Sequence, residues 1–372
     1  MKKSVIATTL VGLLIGVGVG VGQASASGYT FTDLGTLGGS NSWARGINNS
    51  GQVVGGSILG DHAYHATIWN GATPTDLDTA GGNASDAFSI NNSGQVVGIS
   101  YISTGPHAFI WDGATLTNFT LGWDGNENYA FGINDSGQVV GSAYFGGPGY
   151  HATLWNGTTR TDLGTLGGDW SEAIAINNAD QVAGSSRISD SSAFHATIWN
   201  GTTPTDLGTL KGNSSFALAI NDSGQVAGFF YASGDYYLYA HATIWDGTIS
   251  TDLDTLGGSY SQADGINNAG QAVGWSNTLG DTHIHATLWN GTTPTDLNNF
   301  LSVSDVNAGW VLDRATDIND NEWIVGNAHN TITGESHAFL LTPVPEPETY
   351  AMFMAGLGLM GFIARRRKNG QA

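Results

Sequence analysis

The chain has 372 residues, of which 55 are Gly, 8 are Pro and none is Cys. The missing cysteines exclude disulfides, thiol catalysis and Cys-ligated zinc or iron–sulfur sites. Acidic residues outnumber basic ones by 31 to 11, a formal net charge of −20, which argues against nucleic acid as a partner because phosphate binding takes basic side chains. The Gly content, together with 12 Trp, 12 Tyr and 14 Phe, favours an ordered protein of short strands and tight turns.

Residues 1–26 have the pattern of a secretory signal peptide. Lys2 and Lys3 precede an apolar run over residues 5–21, and Ala24 and Ala26 are small residues at the cleavage positions. An uncleaved membrane anchor is the alternative. The pattern therefore predicts that the residues after it are exported.

Three short motifs recur seven times between the two ends of the chain. The first, I-N-N-S-G-Q-V-V-G, begins at Ile47, Ile90, Ile133, Ile176, Ile220, Ile266 and Ile318. The second, H-A-T-I-W, begins at His65, His107, His151, His195, His241, His285 and His337. The third, D-L-G-T-L-G-G, begins at Asp33, Asp76, Asp162, Asp206, Asp252 and Asp296, with Asn118 in the remaining repeat.

Each repeat contains four predicted strands, a to d, separated by turn residues such as N-N-S-G and Asn70-Gly71. Four strands in about 43 residues is the blade size of a β-propeller. The sequence therefore predicts an all-β fold, a seven-bladed β-propeller of four-stranded blades over residues 28–342.

The order of the motifs predicts how the ring closes. A lone strand d, residues 29–34, precedes the first complete repeat, and the last repeat stops after its strand c, residues 337–342. The N-terminal strand can thus supply the fourth strand of the last blade and remove an exposed edge, which favours a monomeric propeller.

The C-terminal segment resembles the PEP-CTERM sorting signal. A Val-Pro-Glu-Pro motif precedes a short apolar run over residues 350–364 and a basic cluster, the residues being Val344, Pro345, Glu346, Pro347, Arg365, Arg366, Arg367 and Lys368. The resemblance implies export across the inner membrane, transient tethering there by a short transmembrane span, and cleavage by an exosortase. A plain C-terminal anchor is the alternative, although 15 apolar residues are short for a bilayer helix, which needs about 20.

The repeats themselves resemble the HAF-repeat family, named for a His-Ala-Phe form of strand c. Residues 107–109 and 337–339 keep that form, and the other repeats have His-Ala-Thr. The resemblance implies an extracellular repeat protein and brings no established activity with it.

The seven repeated histidines predict structural hydrogen bonds rather than a metal site. Strand c is third from the propeller axis, so the seven side chains lie on a wide circle and cannot share one ion. Turns such as residues 134–137 carry oxygen ligands and resemble half of a calcium loop, but no complete EF-hand pattern is present. The sequence predicts no cofactor, with Ca²⁺ as the alternative.

Antiparallel order places the a–b and c–d turns on one face and the b–c and d–a connections on the other. The first face is nearly invariant between repeats, whereas the second varies and is rich in aromatic residues, which favours recognition there. Aromatic rings suit the C–H faces of sugars. The predicted ligand-binding residues are Tyr101, Tyr144, Tyr150, Tyr236, Tyr237 and Tyr239. The d–a connections are predicted to contribute Trp43, Trp123, Tyr129, Trp170 and Tyr260, and packing between blades is the alternative role.

These observations predict a non-enzymatic propeller of the cell surface or extracellular matrix that binds or organises exopolysaccharide. The alternatives are a polysaccharide lyase or glycosidase, and a protein-binding scaffold. A glycosidase needs two carboxyl groups about 5–10 Å apart, and no two acids are marked as a pair. Three or more acids or bases converging on the inner rim would favour catalysis. Acids outside the repeated positions are Asp61, Glu127, Asp169, Glu172, Asp190, Asp235, Asp264, Asp281, Glu322 and Glu335.

Overall fold

The computed structural model describes residues 28–60, 63–103, 105–118, 128–146, 149–157, 159–189, 191–231 and 240–344. Residues 28–344 form one compact unit with its own core. The predicted signal peptide and the sorting signal from Pro345 onward lie outside the described residues. Within the described ranges no helix is long and apolar enough to cross a membrane.

The described chain forms seven four-stranded antiparallel sheets. The strands before the fourth sheet are β1 (Tyr29–Asp33), β2 (Ser42–Ile47), β3 (Gln52–Ile58), β4 (Tyr64–Asn70), β5 (Thr73–Asp76), β6 (Ala84–Ile90), β7 (Val96–Ile102), β8 (Gly105–Trp111), β9 (Leu116–Asn118), β10 (Asn128–Ile133), β11 (Val139–Tyr144), β12 (Tyr150–Asn156) and β13 (Thr159–Asp162).

The remaining strands are β14 (Gly167–Ile176), β15 (Gln181–Ile188), β16 (Phe194–Asn200), β17 (Thr203–Asp206), β18 (Ser215–Ile220), β19 (Gln225–Tyr231), β20 (Ala240–Asp246), β21 (Ile249–Asp252), β22 (Gly257–Ile266), β23 (Ala272–Thr278), β24 (Ile284–Asn290), β25 (Thr293–Asp296), β26 (Trp310–Ile318), β27 (Ile324–Asn330) and β28 (Ser336–Pro343). A 3₁₀ turn (Leu297–Phe300) and a short helix, α1 (Val303–Asn307), precede β26.

The sheets confirm the predicted seven-bladed β-propeller. Blade 1 has the order β2-β3-β4-β5, blades 2 to 6 repeat this order, and the last blade has the order β26-β27-β28-β1. In that last blade the N-terminal strand pairs antiparallel with the C-terminal strand, from Tyr29 opposite Pro343 to Asp33 opposite Phe339. The ring is therefore closed by the two ends of the propeller.

The core lies between neighbouring blades. The Trp that ends strand c is at most 2% exposed in five blades, and Leu341 replaces it, fully buried, in the seventh. Those five residues are Trp69, Trp155, Trp199, Trp245 and Trp289. The Ala directly after each repeated His is also buried, on the opposite strand face, so each sheet packs on both sides.

Two closed rings of hydrogen bonds join the blades at the a–b turns. The buried Asn after each inner-strand Ile donates its amide to the backbone carbonyl of the next blade's Asn, and the bond from Asn319 to Asn48, 2.9 Å long, completes the circle. The backbone N–H of the following residue donates to the side chain of its counterpart in the next blade, again ending with Asp320 to Asn49. These bonds explain why the I-N motif is repeated and why this face is nearly invariant.

Each innermost strand carries a β-bulge one residue after its repeated Ala. In blade 1 the register jumps from Ala44 to Gly46, so Arg45 has no partner across the strand pair. The bulge brings the inner strand close to the second strand: a Cβ on Gly55 would lie 1.9 Å from the carbonyl oxygen of Trp43. The same approach, at 1.8–2.0 Å, occurs at the equivalent glycine of every blade. The Gly of the repeated Q-V-V-G motif is therefore required by the bulge.

Candidate functional site

The seven inner strands enclose a cavity of about 740 Å³ on the propeller axis, which we call the axial cavity. Its wall is formed by the residues at and around the bulges. Because strand a starts at the d–a connections, the wall begins on the face that varies between repeats. A bulge is a common way to re-aim a side chain at a site.

The residues at the bulge, which we call the bulge positions, differ in chemistry from blade to blade. In blade order they are Arg45, Phe88, Phe131, Ile174, Leu218, Asp264 and Thr316, and all seven line the axial cavity. Blades 2 to 5 thus present a continuous apolar wall, and blades 6, 7 and 1 present a polar wall. Variation at these positions stands out because the flanking Ala and Ile hardly change.

The residues two before the bulge, which we call the rim positions, vary still more. In blade order they are Trp43, Asp86, Tyr129, Glu172, Phe216, Gln262 and Arg314. Trp43, Gln262 and Arg314 also line the axial cavity. No two rim positions carry the same residue.

Two arginine–aspartate pairs join neighbouring blades at the polar wall. Arg314 binds Asp264 through Nε and Nη2 at 2.7 and 2.5 Å, and Gln262 donates a further bond to the same carboxylate. Arg45 binds Asp86 at 3.0 and 2.7 Å. Both carboxylates are less than a tenth exposed, whereas both guanidinium groups are more than two-fifths exposed. Burial raises the pKa of each carboxyl, and the paired guanidinium opposes that rise.

Two further carboxyl groups have no basic partner in the described part of the chain. Asp317 lines the axial cavity, and its two oxygens accept the backbone N–H groups of Ile47 and Ile318 at 3.0 and 2.8 Å. Burial raises its pKa to about 7 despite those two bonds. Glu172, at a rim position, also has its pKa raised to about 7 by burial. Both groups therefore titrate near neutral pH.

Aromatic contacts extend outward from the cavity over the varied face in two tracks. The first runs from Trp43 to Tyr64 to Tyr101, with ring centroids 5.7 and 6.2 Å apart. The second runs from Phe131 to Tyr129, Tyr150 and Tyr144, with successive centroids 5.9, 6.2 and 6.2 Å apart. All seven rings are partly exposed. The tracks connect the b–c connections to the axial cavity.

Three of the six predicted tyrosines are described, and they lie at the outer parts of these tracks. Tyr101 is 36% exposed, and Tyr144 and Tyr150 are half-buried. Tyr236, Tyr237 and Tyr239 lie outside the described residues, as does Trp123. The predicted placement of Trp43, Tyr129, Trp170 and Tyr260 in the d–a connections is wrong, because the inner strands begin earlier than the repeat suggests and include all four.

The repeated histidines lie away from this site, on the outer half of each blade. In six blades Nδ1 lies 2.7–3.0 Å from the nearer carboxylate oxygen of the strand d Asp, and in the last blade that Asp is Asp33 of β1. Hydrogen bonding to Asp33 raises the pKa of His337. Among the described residues no three His, Asp or Glu side chains are grouped to hold a metal ion. Asn134 and Asp135, in the predicted half calcium loop, belong to the two hydrogen-bond rings.

The bulge and rim positions are not among the residues predicted from the sequence as a site. Of its candidate acids, Glu172 and Asp264 lie at these positions, and the others that are described do not line the axial cavity. The available signal was the loss of repetition: aligning the seven repeats shows that strand a varies on both sides of an invariant Ala, at the rim position before it and at the bulge position after it.

The seven closed blades and the C-terminal motif define a class of protein in which a β-propeller is followed in sequence by a sorting signal. The PEP-CTERM protein-sorting motif matches residues 343–368, which supports that part of the predicted tail. This motif indicates an exported protein that an exosortase sorts to the cell envelope. No curated protein matches the sequence.

Solved structures with a similar fold share little sequence with this chain. TolB from Acinetobacter baumannii is 13% identical with a TM-score of 0.47, over 80% of this chain and 65% of that one. A TolB-like protein from Agrobacterium tumefaciens is 10% identical with a TM-score of 0.41, over 54% and 79% of the two chains. Trypanosoma rangeli sialidase is 8% identical with a TM-score of 0.37, over 92% and 57%. The chain thus spans less than two thirds of the Acinetobacter protein.

Proposed function

We propose that this exported propeller binds exopolysaccharide at the cell surface or in the extracellular matrix, with the axial cavity and its aromatic tracks as the binding site. The observation that carries the proposal is the convergence of the bulge and rim positions on one cavity, in a chain that is otherwise strongly repetitive. An invariant ring with one varied, partly exposed surface is the arrangement that recognition needs.

The chemistry of this surface suits carbohydrate. Partly exposed rings such as Phe88 and Phe131, 5.4 Å apart, offer faces for sugar C–H groups. The opposite wall offers the guanidinium of Arg314, the amide of Gln262 and the hydroxyl of Thr316, which donate or accept hydrogen bonds with sugar hydroxyls. A cavity of 740 Å³ falls within the range of about 300–1,000 Å³ usual for small-ligand sites.

Four acids and bases line the axial cavity, namely Arg45, Asp264, Arg314 and Asp317, and such a convergence by itself favours catalysis. The proposed role is nevertheless non-enzymatic, because these groups are already engaged in ion pairs or in backbone hydrogen bonds. Asp86 and Asp264 are held by arginines, and both oxygens of Asp317 accept backbone bonds. A polysaccharide lyase or glycosidase is the second candidate, since Glu172 and Asp317 have the raised pKa that a general acid requires. Release of new reducing ends from a bound polysaccharide, lost in Glu172→Gln, would favour that second candidate.

Replacing Tyr101 and Tyr144 together by Ala should weaken polysaccharide binding about tenfold or more. Each aromatic contact contributes about 0.5–1.5 kcal/mol, and the two residues lie on different tracks. Thermal stability should change little, because partly exposed positions rarely cost much. Isothermal titration of the exported protein with polysaccharide measures the first effect, and a thermal melt measures the second.

Ile249→Ala is the matched control, since Ile249 is 73% exposed but lies on an outer strand away from the tracks. It should leave both binding and stability unchanged. Unaltered binding in the double variant with unaltered stability would move the site away from the tracks. Failure of the native protein to bind any polysaccharide, including that of its own host, would remove the proposal and leave a protein-binding scaffold as the better interpretation.

The tail should be absent from the exported protein. Pro345, Glu346 and Pro347 lie inside the matched sorting motif, directly after the last propeller strand. Mass spectrometry of protein recovered outside the cell should therefore find no peptides from residue 350 onward. A host strain without its exosortase is the control, and recovery from the normal host of intact protein that retains the arginine cluster would identify a permanent anchor.

A further inference from the structure

A ring of isoleucines lies at the end of the axial cavity nearest the invariant face. The last inner-strand residue of each blade is Ile, and six of the seven are at most 8% exposed. The ring lies between the axial cavity and a smaller cavity of about 180 Å³ on the invariant face, which is also lined by the Asn pairs of the a–b turns. This ring is the floor of the cavity in the inference below, in which a ligand enters from the varied face.

Just above this floor the cavity is kept open by small side chains. The residue directly after each bulge is small in six blades, namely Gly46, Ser89, Gly132, Ala175, Ala219 and Gly265. The seventh is Asp317, which is thus the sole charged group at this level. The arrangement leaves space next to one carboxyl group at the floor.

The walls above the floor are divided between apolar and polar halves. Phe88, Phe131, Ile174 and Leu218 occupy four consecutive blades, and the other three blades present polar bulge positions. A sugar ring has a C–H face for the first wall and hydroxyl groups for the second. A sugar unit standing upright in the cavity would satisfy both walls at once.

The charge of the cavity disfavours an anionic sugar. The two guanidinium groups are balanced by Asp86 and Asp264. Asp317 in the cavity and Glu172, at a rim position outside the cavity lining, have no basic partner in the described residues. Between residues 28 and 342 the chain has 5 basic and 29 acidic side chains, a formal difference of −24. The carboxylate of a uronate at the floor would be repelled by Asp317 and by the net negative charge of the propeller. Both arginines of the cavity are already paired, so none of the described residues that line the cavity is an unpaired cation that would offset this repulsion.

We infer that the axial cavity receives the terminal unit of an uncharged glycan chain, so that the protein binds chain ends rather than internal segments. The inference rests on the proposed glycan binding and deepens it, since a cavity with a closed floor admits an end but cannot thread a chain. The aromatic tracks would then bind the units that follow the terminal one.

The test uses defined neutral oligosaccharides from the cello- and manno-series, with oligogalacturonates as the anionic comparison. For the exported protein, the affinity for the recognised neutral series should rise as the oligosaccharide lengthens by its first few units. With longer chains, the affinity per mole of chain should stay constant. Saturation should require at most one protein per chain, however long the chain is. Oligogalacturonates of the same lengths should bind at least tenfold more weakly.

Ala219→Phe fills the space above the floor and should abolish oligosaccharide binding. Ala179→Phe is the matched control, because Ala179 is exposed on the invariant face and the same substitution there should leave binding intact. If Ala219→Phe fails to fold by thermal melt, Ala175→Leu provides a milder filling, and the stoichiometry of the native protein tests the inference without any variant.

Several outcomes overturn the inference and leave glycan binding standing: several proteins bound along one long chain, unchanged binding in a folded Ala219→Phe, or tighter binding of oligogalacturonates. Failure of every glycan to bind the native protein would instead remove the proposed function itself. The two failures are therefore distinguishable.

Discussion

Deleting residues 28–36 should open the propeller and lower its melting temperature by tens of degrees or cause aggregation. These residues contain β1, whose five residues pair with β28, and the fully buried Leu34. Loss of a buried Leu alone costs about 2–5 kcal/mol. Loss of Tyr29, which is 8% exposed and packs against Phe300, adds to that figure. The sum approaches the whole stability of an ordinary domain, about 5–15 kcal/mol.

Calorimetry comparing residues 28–344 with residues 37–344 measures this effect. Leu34→Ala in the intact ring should produce a partial loss, and Thr30→Ala, at an exposed position on the same strand, should produce almost none. The deletion also leaves β28 as an unpaired edge, so association at high protein concentration is expected. An unchanged melting temperature in the deletion variant would contradict closure by the N-terminal strand.

The repetition in the sequence was enough to predict the fold and its closure. Repeated positions are those whose surroundings are the same in every blade, such as the buried Asn48 and its six counterparts, each bonded to the next blade. A lone strand d at the start of the propeller and a missing strand d at its end predict the topology of closure from the sequence alone. Residues that every blade needs, such as the buried Asn of each a–b turn, can therefore be recognised in a single sequence because they are repeated.

The candidate site is harder to predict because it consists of the positions that repetition does not constrain. Arg45 and Asp86 lie 41 residues apart, and only the bulge and the packing of blade 1 on blade 2 bring them together. The Gly of each Q-V-V-G motif did carry a signal, since a repeated Gly within a strand indicates close backbone approach. Its consequence, an inner strand bulged toward the axis, depends on a register that the sequence does not show.

Arg314→Gln should destabilise the propeller by about 3–5 kcal/mol, the cost of breaking a buried ion pair from one side. The variant removes two charge-assisted bonds from Asp264, whose side chain is 7% exposed, and leaves that carboxylate buried without its cation. Because the guanidinium itself is 43% exposed, we expect the lower end of the range. Urea unfolding measures the difference in the free energy of unfolding, provided that the slope against urea concentration is the same for both proteins.

A double variant distinguishes charge burial from lost packing. Adding Asp264→Asn to Arg314→Gln removes the unpaired charge, and most of the lost stability should return because no ion then remains buried. Lys211→Gln is the control: its amine lies 3.7 Å from Asp252 and is 66% exposed, so its loss should cost less than about 1 kcal/mol.

The pH dependence of the stability of Arg314→Gln is an independent test of the same prediction. Without the guanidinium, burial raises the pKa of Asp264 further above its ordinary value, so the folded state holds a proton that the unfolded state releases. The stability of the single variant relative to the native protein should therefore fall as pH rises from 5 to 8, and the double variant should not show this slope. A single variant as stable as the native protein at pH 8 would mean that the pair is solvated in solution, and the polar wall of the axial cavity would then be less rigid than the contacts of Asp264 indicate.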